Sequence, residues 1–386
     1  MAKKRLFKTS VLVLMALAIS AFCLGKDEVK TSDLTTAYLK GRITLTPDPD
    51  FAEGTDWESL FLDRHRKIKV APDGSIFVSN SRDHNIYKFN ADGKLIAKFG
   101  KRGQGPGDLD SPSELSILDG KYLVVKESLK LRRISLFRLD GTFHKILKTR
   151  YLPYHVLALG NGKIAYLGQS SRMEQKGDSF EMIYLYRIIV IDAATGNERE
   201  LTTITTTINE VKDGTVMIVR SAAGDLLIGL STRPEIEVYD PDGEKKGVLR
   251  LTIDRIPVTK KITETYQLKT VVTRGGKSTE YVYPLGKFLP YFCDLTVDSA
   301  GNILVFKMSE DPKTGPIITQ VYSQAGKFLC ETELDRGGFD LIADLKPWRR
   351  IHTLLDFTEQ GIFGILPLKG DELETPHLFR VSFRPH

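Results

Sequence analysis

The chain contains 386 residues, of which 41% are hydrophobic and 27% are charged. This composition excludes a wholly disordered chain, and the length allows one large domain with a sizeable core. The formal net charge is +6, but four of the 55 basic residues and none of the 49 acidic ones fall in the first 25 positions. The remainder carries a net charge of only +2 and no dense stripe of lysine and arginine. We therefore expect no nucleic-acid partner bound through phosphate neutralisation.

The amino-terminal segment, residues 1–25, has the pattern of a signal peptide. Basic residues open it, and the apolar run over residues 11–21 is short for a membrane span. Gly25 offers a cleavage position. The pattern predicts an exported protein, located in the periplasm, in the cell envelope or outside the cell. Two alternatives stay open: lipidation of Cys23, which the bulky Phe22 before it disfavours, and an uncleaved anchor.

Glycine turns recur along the rest of the chain, each placed before a short run of β-branched and aromatic residues. The first turn of each unit lies at one of six positions: Gly74, Gly120, Gly162, Gly224, Gly301 and Gly361. A second turn follows in five units, at Gly93, Gly141, Gly196, Gly243 and Gly326. Such turns predict antiparallel hairpins, because glycine accepts the positive φ that they need. Four-stranded units with a basic period in the forties predict a β-propeller, and six first turns predict six blades.

The two ends of the chain predict how the ring closes. After the sixth turn only two strand-like runs remain, over residues 362–366 and 377–383, so the last blade lacks one strand. An isolated strand-like run over residues 37–45 precedes the first blade and supplies the missing outer strand, which removes the exposed sheet edges. The sequence thus predicts one all-β domain over residues 26–386, a six-bladed propeller of four-stranded antiparallel blades.

The first blade carries a recognisable motif. It has a Pro-Asp-Gly turn at residues 72–74, the run SNSRDHNIYKF at 79–89, an Asp-Gly turn at 92–93 and a Gly-x-Gly-Pro-Gly segment at 103–107. These features resemble an NHL-type repeat and the exported six-bladed propellers of bacteria that contain it. The resemblance implies the architecture of the whole mature chain but little chemistry, since propellers of this group differ widely in activity.

Two cysteines remain after cleavage at Gly25. The repeat places Cys293 on the innermost strand of blade five and Cys330 on the outermost strand of the same blade. Three steps between strands separate them by about 14 Å. A disulfide needs Cα atoms within about 7 Å, so we expect two unpaired, largely buried thiols.

Three histidines occupy related places at the starts of innermost strands. His65 and His352 each precede the first turn glycine of their blade by nine residues, and His155 precedes its own by seven. Three imidazoles that converge on the axial channel would suit a catalytic zinc ion. The alternative is that they are polar residues at a channel mouth, and no acidic residues are evident that would orient zinc ligands. A calcium site would need inward Asn, Asp and Glu side chains from several blades, and the sequence does not assemble that set.

An insertion over residues 255–290 separates blades four and five. Alternating runs around residues 275–276 predict a protruding hairpin. The aromatic residues Tyr266, Tyr281 and Tyr283 could form a lid or a partner surface, or the hairpin could simply pack on the blade edges. In the connection to blade six, Trp348 and Arg349 are candidates for a binding anchor at the rim.

These features predict an exported binding or scaffold module that recognises a small molecule or a protein through its axial funnel and its insertion face. We expect no bound cofactor on this hypothesis. The alternative hypothesis is a metal-dependent lyase or hydrolase, with zinc or calcium in the central channel.

Overall fold

A computed structural model describes residues 34–48, 50–56, 60, 67–128, 130–177, 179–207, 215–266, 268–274, 277–283, 285–311, 315–335, 337, 355–367 and 376–385. Within these ranges the chain forms six antiparallel blades around an axis. In blades one to five the strands follow one another in chain order from the innermost to the outermost. The predicted β-propeller fold is therefore confirmed.

The first three blades are regular four-stranded sheets. Blade one contains β2 (Ile68–Val70), β3 (Ile76–Asn80), β4 (Asn85–Phe89) and β5 (Leu95–Phe99). Blade two contains β6 (Glu114–Leu118), β7 (Tyr122–Lys126), β8 (Arg133–Arg138) and β9 (Phe143–Lys148). Blade three contains β10 (Pro153–Gly160), β11 (Lys163–Lys176), β12 (Ser179–Asp192) and β13 (Glu198–Thr207). The β11–β12 hairpin pairs over 14 residues on each strand, so it projects beyond the blade.

The later blades carry the insertion and the ring closure. Blade four contains β14 (Val216–Arg220), β15 (Leu226–Leu230), β16 (Glu235–Tyr239) and β17 (Lys245–Arg250). The insertion contains helix α2 (Lys260–Tyr266) and a separate hairpin of β18 (Leu268–Arg274) and β19 (Lys277–Tyr283). Blade five contains β20 (Phe292–Val297), β21 (Ile303–Lys307), β22 (Ile317–Tyr322) and β23 (Phe328–Asp335). Blade six contains β24 (Leu355–Thr358), β25 (Gly361–Pro367) and β26 (Pro376–Pro385), and its outermost strand comes from the amino-terminal part of the chain.

The amino-terminal strand β1 (Arg42–Pro47) closes the ring. It pairs antiparallel with β26 and, over its first three residues, parallel with β23. Blades five and six are thereby joined into one eight-stranded sheet. Ile43 and Leu45 are buried in a core that both blades share. The predicted closure by an amino-terminal strand is confirmed.

The bounds predicted for the closing strand, residues 37–45, are wrong at both ends. Helix α1 (Leu34–Leu39) precedes β1 and buries Leu34, Ala37 and Tyr38, which lie on one helical face at spacings of three and four residues. Gly41, with a φ of 85°, then turns the chain into the strand. The strand-like composition of this run therefore belongs partly to a helix that packs against blades five and six.

The cores lie between neighbouring blades, where apolar side chains of adjacent sheets meet. Six hydrophobic clusters each span a blade interface or the closure, and a smaller cluster lies under the insertion. All eleven predicted turn glycines have positive φ, between 63° at Gly120 and 133° at Gly361. The innermost strands of the six blades surround one central cavity, so they line the axis of the ring.

Candidate functional site

The axial cavity is lined by the innermost strands of all six blades. Its volume is about 210 Å³, and residues of β2, β6, β10, β14, β20 and β24 contribute to its wall. Its charged and titratable side chains include Lys69, Glu114, His155, Arg220 and Asp356. A concave site with a few polar groups at the centre of a rigid fold is the usual form of a small-molecule site.

Asp356 of blade six joins its blade to blade one. One carboxylate oxygen pairs with the Lys69 ammonium group, and Oδ2 accepts the main-chain N–H of Val70 at 2.8 Å. The Asp356 side chain is only 8% exposed, against 35% for Lys69. A buried carboxylate with both oxygens engaged in this way is a fixed part of the cavity wall.

Glu114 of blade two plays the corresponding part at the interface with blade three. Its Oε2 lies 3.4 Å from Nδ1 of His155 and accepts the main-chain N–H of Val156 at 3.1 Å. Nearby, Ser116 Oγ accepts the N–H of Ala158 at 2.9 Å. Side chains of blades six and two therefore fill hydrogen-bonding positions on the inner edge of the next blade.

Arg220 lies at the end of the cavity wall nearest the first turns of the blades. It is the last residue of β14 and is exposed. Its Nη2 is 3.1 Å from the position that a Cβ on Gly160 would take. Glycine at position 160 thus leaves room for the guanidinium group to lie over the end of blade three.

The structure places one of the three predicted channel histidines. His155 lies on the cavity wall beside Glu114, whereas His65 and His352 lie outside the described residues. Among the described residues no group of three or more histidine, cysteine, aspartate or glutamate side chains could hold a metal ion. The three-histidine zinc site stays a prediction.

The sequence interpretation overlooked the polar residues Glu114, Lys69, Asp356 and Arg220. The available signal was a charged residue within or beside a short strand of otherwise apolar character, as in SELSIL at 113–118 and LLDFT at 354–358. Their significance depends on the neighbouring blade, and a pattern within one blade does not reveal it.

The insertion is fixed at its base by Arg255. The guanidinium carbon lies 5.1 Å from the ring centroid of Phe288 and 5.4 Å from that of Tyr291, and Nε donates to the Leu289 carbonyl at 3.1 Å. Ile262 of α2 is buried together with Leu289 and Met308 of blade five. The base of the insertion therefore packs firmly on the ring.

The other predicted binding residues are only partly placed. Tyr266 ends α2, and Tyr281 and Tyr283 belong to β19, but their side chains are not among those described. Trp348 and Arg349 lie outside the described residues. Their role as a lid, partner surface or rim anchor stays a prediction. The order of antiparallel strands places the insertion on the same face of the ring as the projecting β11–β12 hairpin.

Cys293 lies under the insertion and provides a probe of it. Cys293 and Cys330 are both free thiols, as predicted, and Cys293 packs beside the Ile262–Leu289–Met308 cluster. Burial, with a smaller contribution from Asp294, raises the pKa of the Cys293 thiol well above its usual range, and burial also raises the pKa of Cys330.

We expect Cys293 to react with iodoacetamide more slowly than Cys330 at pH 8, because the reactive thiolate is the form that burial disfavours. The rate for each thiol should increase as the pH rises towards its raised pKa. Replacement R255A should accelerate labelling of Cys293 at least several-fold, whereas R250A, at the exposed end of β17, should not. Peptide mass spectrometry measures the labelling rate of each cysteine. Equal Cys293 rates in the R255A variant and the unmodified protein would show that Arg255 does not hold the base of the insertion against the ring.

Comparison with known proteins agrees with the fold. A family model, DUF5128, described as a 6-bladed beta-propeller, matches residues 57–219, which include the first three blades. The chain is a six-bladed β-propeller. No curated protein matches it. Neither helix in the described part of the propeller has the length and hydropathy of a membrane span.

Several solved structures resemble this propeller. A Bacteroides fragilis protein, provisionally described as exported, is 12% identical, with a TM-score of 0.47 over 89% of this chain and 95% of its own. Virginiamycin B lyase from Staphylococcus aureus is 14% identical, with a TM-score of 0.46 over 88% and 99% of the two chains. A member of the DUF4221 family from Bacteroides vulgatus is 10% identical, with a TM-score of 0.48 over 89% and 97%. Similarity at this level carries no argument about ligand or reaction.

Proposed function

We propose that this propeller is an exported binding module that takes a small polar ligand into its axial cavity. The supporting observation is the cavity of about 210 Å³, which every blade helps to line and which contains charged side chains from several blades. Its wall is held in place by contacts between blades, Asp356 with Lys69 and Glu114 with His155. A preorganised wall of this kind lowers the entropic cost of binding.

The state of the two carboxylates favours binding over catalysis. Asp356 and Glu114 each accept a main-chain N–H of the next blade and each contact a basic side chain. A general base needs a carboxylate that can reach a substrate proton, and both oxygens of Asp356 and the Oε2 of Glu114 are already engaged. The metal-dependent lyase or hydrolase alternative depends on His65 and His352, and the described residues add no support for it.

Export and the use of the insertion face are parts of the same proposal. The basic and apolar pattern of residues 1–25 supports export, with the lipid anchor on Cys23 as the alternative. The resemblance of blade one to NHL-type repeats of exported propellers agrees with it. The insertion and the β11–β12 hairpin project on one face of the ring, which suits contact with a larger ligand or a protein partner.

The test is a ligand screen with a blocked cavity. Amino acids, sugars, nucleosides and small organic acids are screened by thermal shift, and hits are measured by calorimetry. Thr296 lines the cavity, so T296W should reduce the affinity for each cavity ligand at least tenfold. The control V248W adds the same indole at an exposed position of β17 and should leave affinity unchanged. A screen without hits, or hits that T296W retains, would contradict the proposal.

A further inference from the structure

The inner edges of blades four and five present main-chain donors to the axial cavity. Ser221 N–H donates to Asp225 O, and successive residues of an antiparallel strand alternate in direction. The N–H groups of Ile218 and Arg220 therefore point away from β15 and towards the cavity. Likewise Asp298 N–H donates to Asn302 O, so the N–H of Val297 points towards the cavity. All three residues lie on the cavity wall.

Blades one and three show which groups such donors bind. The N–H of Val70 donates to the Asp356 carboxylate, and the N–H of Val156 donates to the Glu114 carboxylate. In both cases the acceptor is a side chain of the preceding blade. The channel edge of this propeller therefore already binds carboxylates, which the protein itself supplies at two of its interfaces.

Among the described residues, no such acceptor from the preceding blade reaches the donors of blades four and five. From blade three, Leu157 and Leu159 pack forward into one hydrophobic cluster with Val216 and Ile218 of blade four. Those that pack forward from blade four are Met217 and Val219, which lie in one cluster with Leu295. In the part of the chain that the structure describes, no hydrogen bond satisfies the N–H of Ile218, Arg220 or Val297. Because these N–H groups face the cavity and donate to no acceptor among the described residues, they are available to an acceptor on a ligand.

A positive charge lies next to these donors. The Arg220 guanidinium group is held over Gly160 and near Gly224, and within the described ranges it has no acidic partner. The two carboxylates on the cavity wall, Asp356 and Glu114, contact Lys69 and His155 at other blades. This side of the cavity therefore combines inward N–H groups with an uncompensated cation, a combination that attracts an anion.

We propose that the wall formed by blades four and five binds the carboxylate of a small organic acid. The main-chain N–H groups of Ile218, Arg220 and Val297 are the donors, and the Arg220 guanidinium group supplies the opposite charge. The inference rests on the proposed use of the axial cavity as a ligand site. A cavity of 210 Å³ has the volume of about seven water molecules, which suits a small acid.

The probe is sodium succinate, titrated at constant ionic strength into protein labelled with ¹⁵N at isoleucine and valine. The amide signals of Ile218 and Val297 should shift downfield and saturate. Those of Val70 and Val156, which already donate to carboxylates, should move little. Inorganic phosphate and sodium chloride are titrated in parallel, and a saturating response to succinate alone identifies the carboxylate.

Leu157→Asp tests the mechanism by adding an internal carboxylate that faces blade four. The variant should weaken succinate binding at least tenfold, because the new carboxylate competes with succinate for the N–H donors of blade four. The control V248D adds the same charge on the exposed outer strand of blade four and should bind succinate normally. Arg220→Gln provides a second variant, because a substitution at this exposed position leaves the core unchanged, and it should weaken binding about tenfold.

Three results would overturn the inference: no shift at Ile218 and Val297, equal responses to chloride and succinate, or unchanged binding in both the L157D and R220Q variants. A cavity ligand that T296W blocks but that leaves these two amides unmoved would refute the carboxylate site and preserve the binding function. If T296W blocks nothing, the proposed function itself fails.

Discussion

Replacing Glu127 by glutamine should lower the free energy of unfolding by about 3–5 kcal/mol. Glu127 is fully buried, and its carboxylate accepts hydrogen bonds from Arg133 Nε at 2.9 Å, Arg133 Nη2 at 2.6 Å, Ser135 Oγ at 2.6 Å and Asp110 N at 2.7 Å. The neutral amide cannot accept all of these bonds and leaves the Arg133 charge buried without compensation. Urea unfolding at pH 7 measures the loss.

The effect should extend to the glycine-rich connection between blades one and two. Arg133 Nη1 donates to the Gln104 carbonyl at 2.9 Å, and Nη2 lies 3.4 Å from the Gly103 carbonyl. The ion pair therefore orders a segment that has few side chains of its own to pack. Hydrogen exchange over residues 103–108 should increase in the E127Q variant.

Glu174→Gln is the matched control for this prediction. Glu174 also pairs with an arginine, Arg172, but the two side chains are 47% and 58% exposed. Exposed pairs contribute about 1 kcal/mol or less, so E174Q should unfold almost like the unmodified protein. Equal losses in the two variants would show that burial does not determine the contribution of the Glu127–Arg133 pair.

Replacing Ile43 by aspartate should destabilise the ring by more than about 5 kcal/mol, a large part of the stability of a typical domain. Ile43 is fully buried in the core that β1 shares with blades five and six. An unpaired carboxylate there would expel β1 and uncover the edges of β23 and β26. Unfolding curves and light scattering should show both lower stability and self-association.

The neighbouring substitution T46D separates charge from position. Thr46 lies on the same strand but is only partly buried, so the added carboxylate remains hydrated. Its expected cost is about 1 kcal/mol or less. If I43D and T46D lost equal stability, ring closure would not depend on the buried face of β1.

Turn chemistry made the architecture predictable from the sequence. All eleven predicted turn glycines have positive φ, and all but Gly361, which begins β25, lie between consecutive strands, because glycine turns fix where hairpins begin and end. The closing strand was misplaced because the burial of Leu34, Ala37 and Tyr38 depends on strands some 300 residues away. The projecting β11–β12 hairpin also went unpredicted.

The candidate site was much less predictable. His155 could be assigned to an inner strand from its distance to Gly162, but its contact with Glu114 depends on how blades two and three are packed. The same holds for Asp356, because blade one supplies the N–H donor that its carboxylate accepts. Open donors at Ile218 and Val297 arise from apolar neighbours in another blade, which no pattern within one strand reveals.

The strand that completes blade six is made early in synthesis, whereas its partners are made last. Arg42 of β1 aligns with Glu333 of β23, and Thr46 aligns with Ser382 of β26. During synthesis from the amino terminus, β1 must remain unpaired while almost the entire propeller is translated. Native closure is consequently a late, long-range step, and a truncated product that lacks β26 retains a sheet edge open to aggregation.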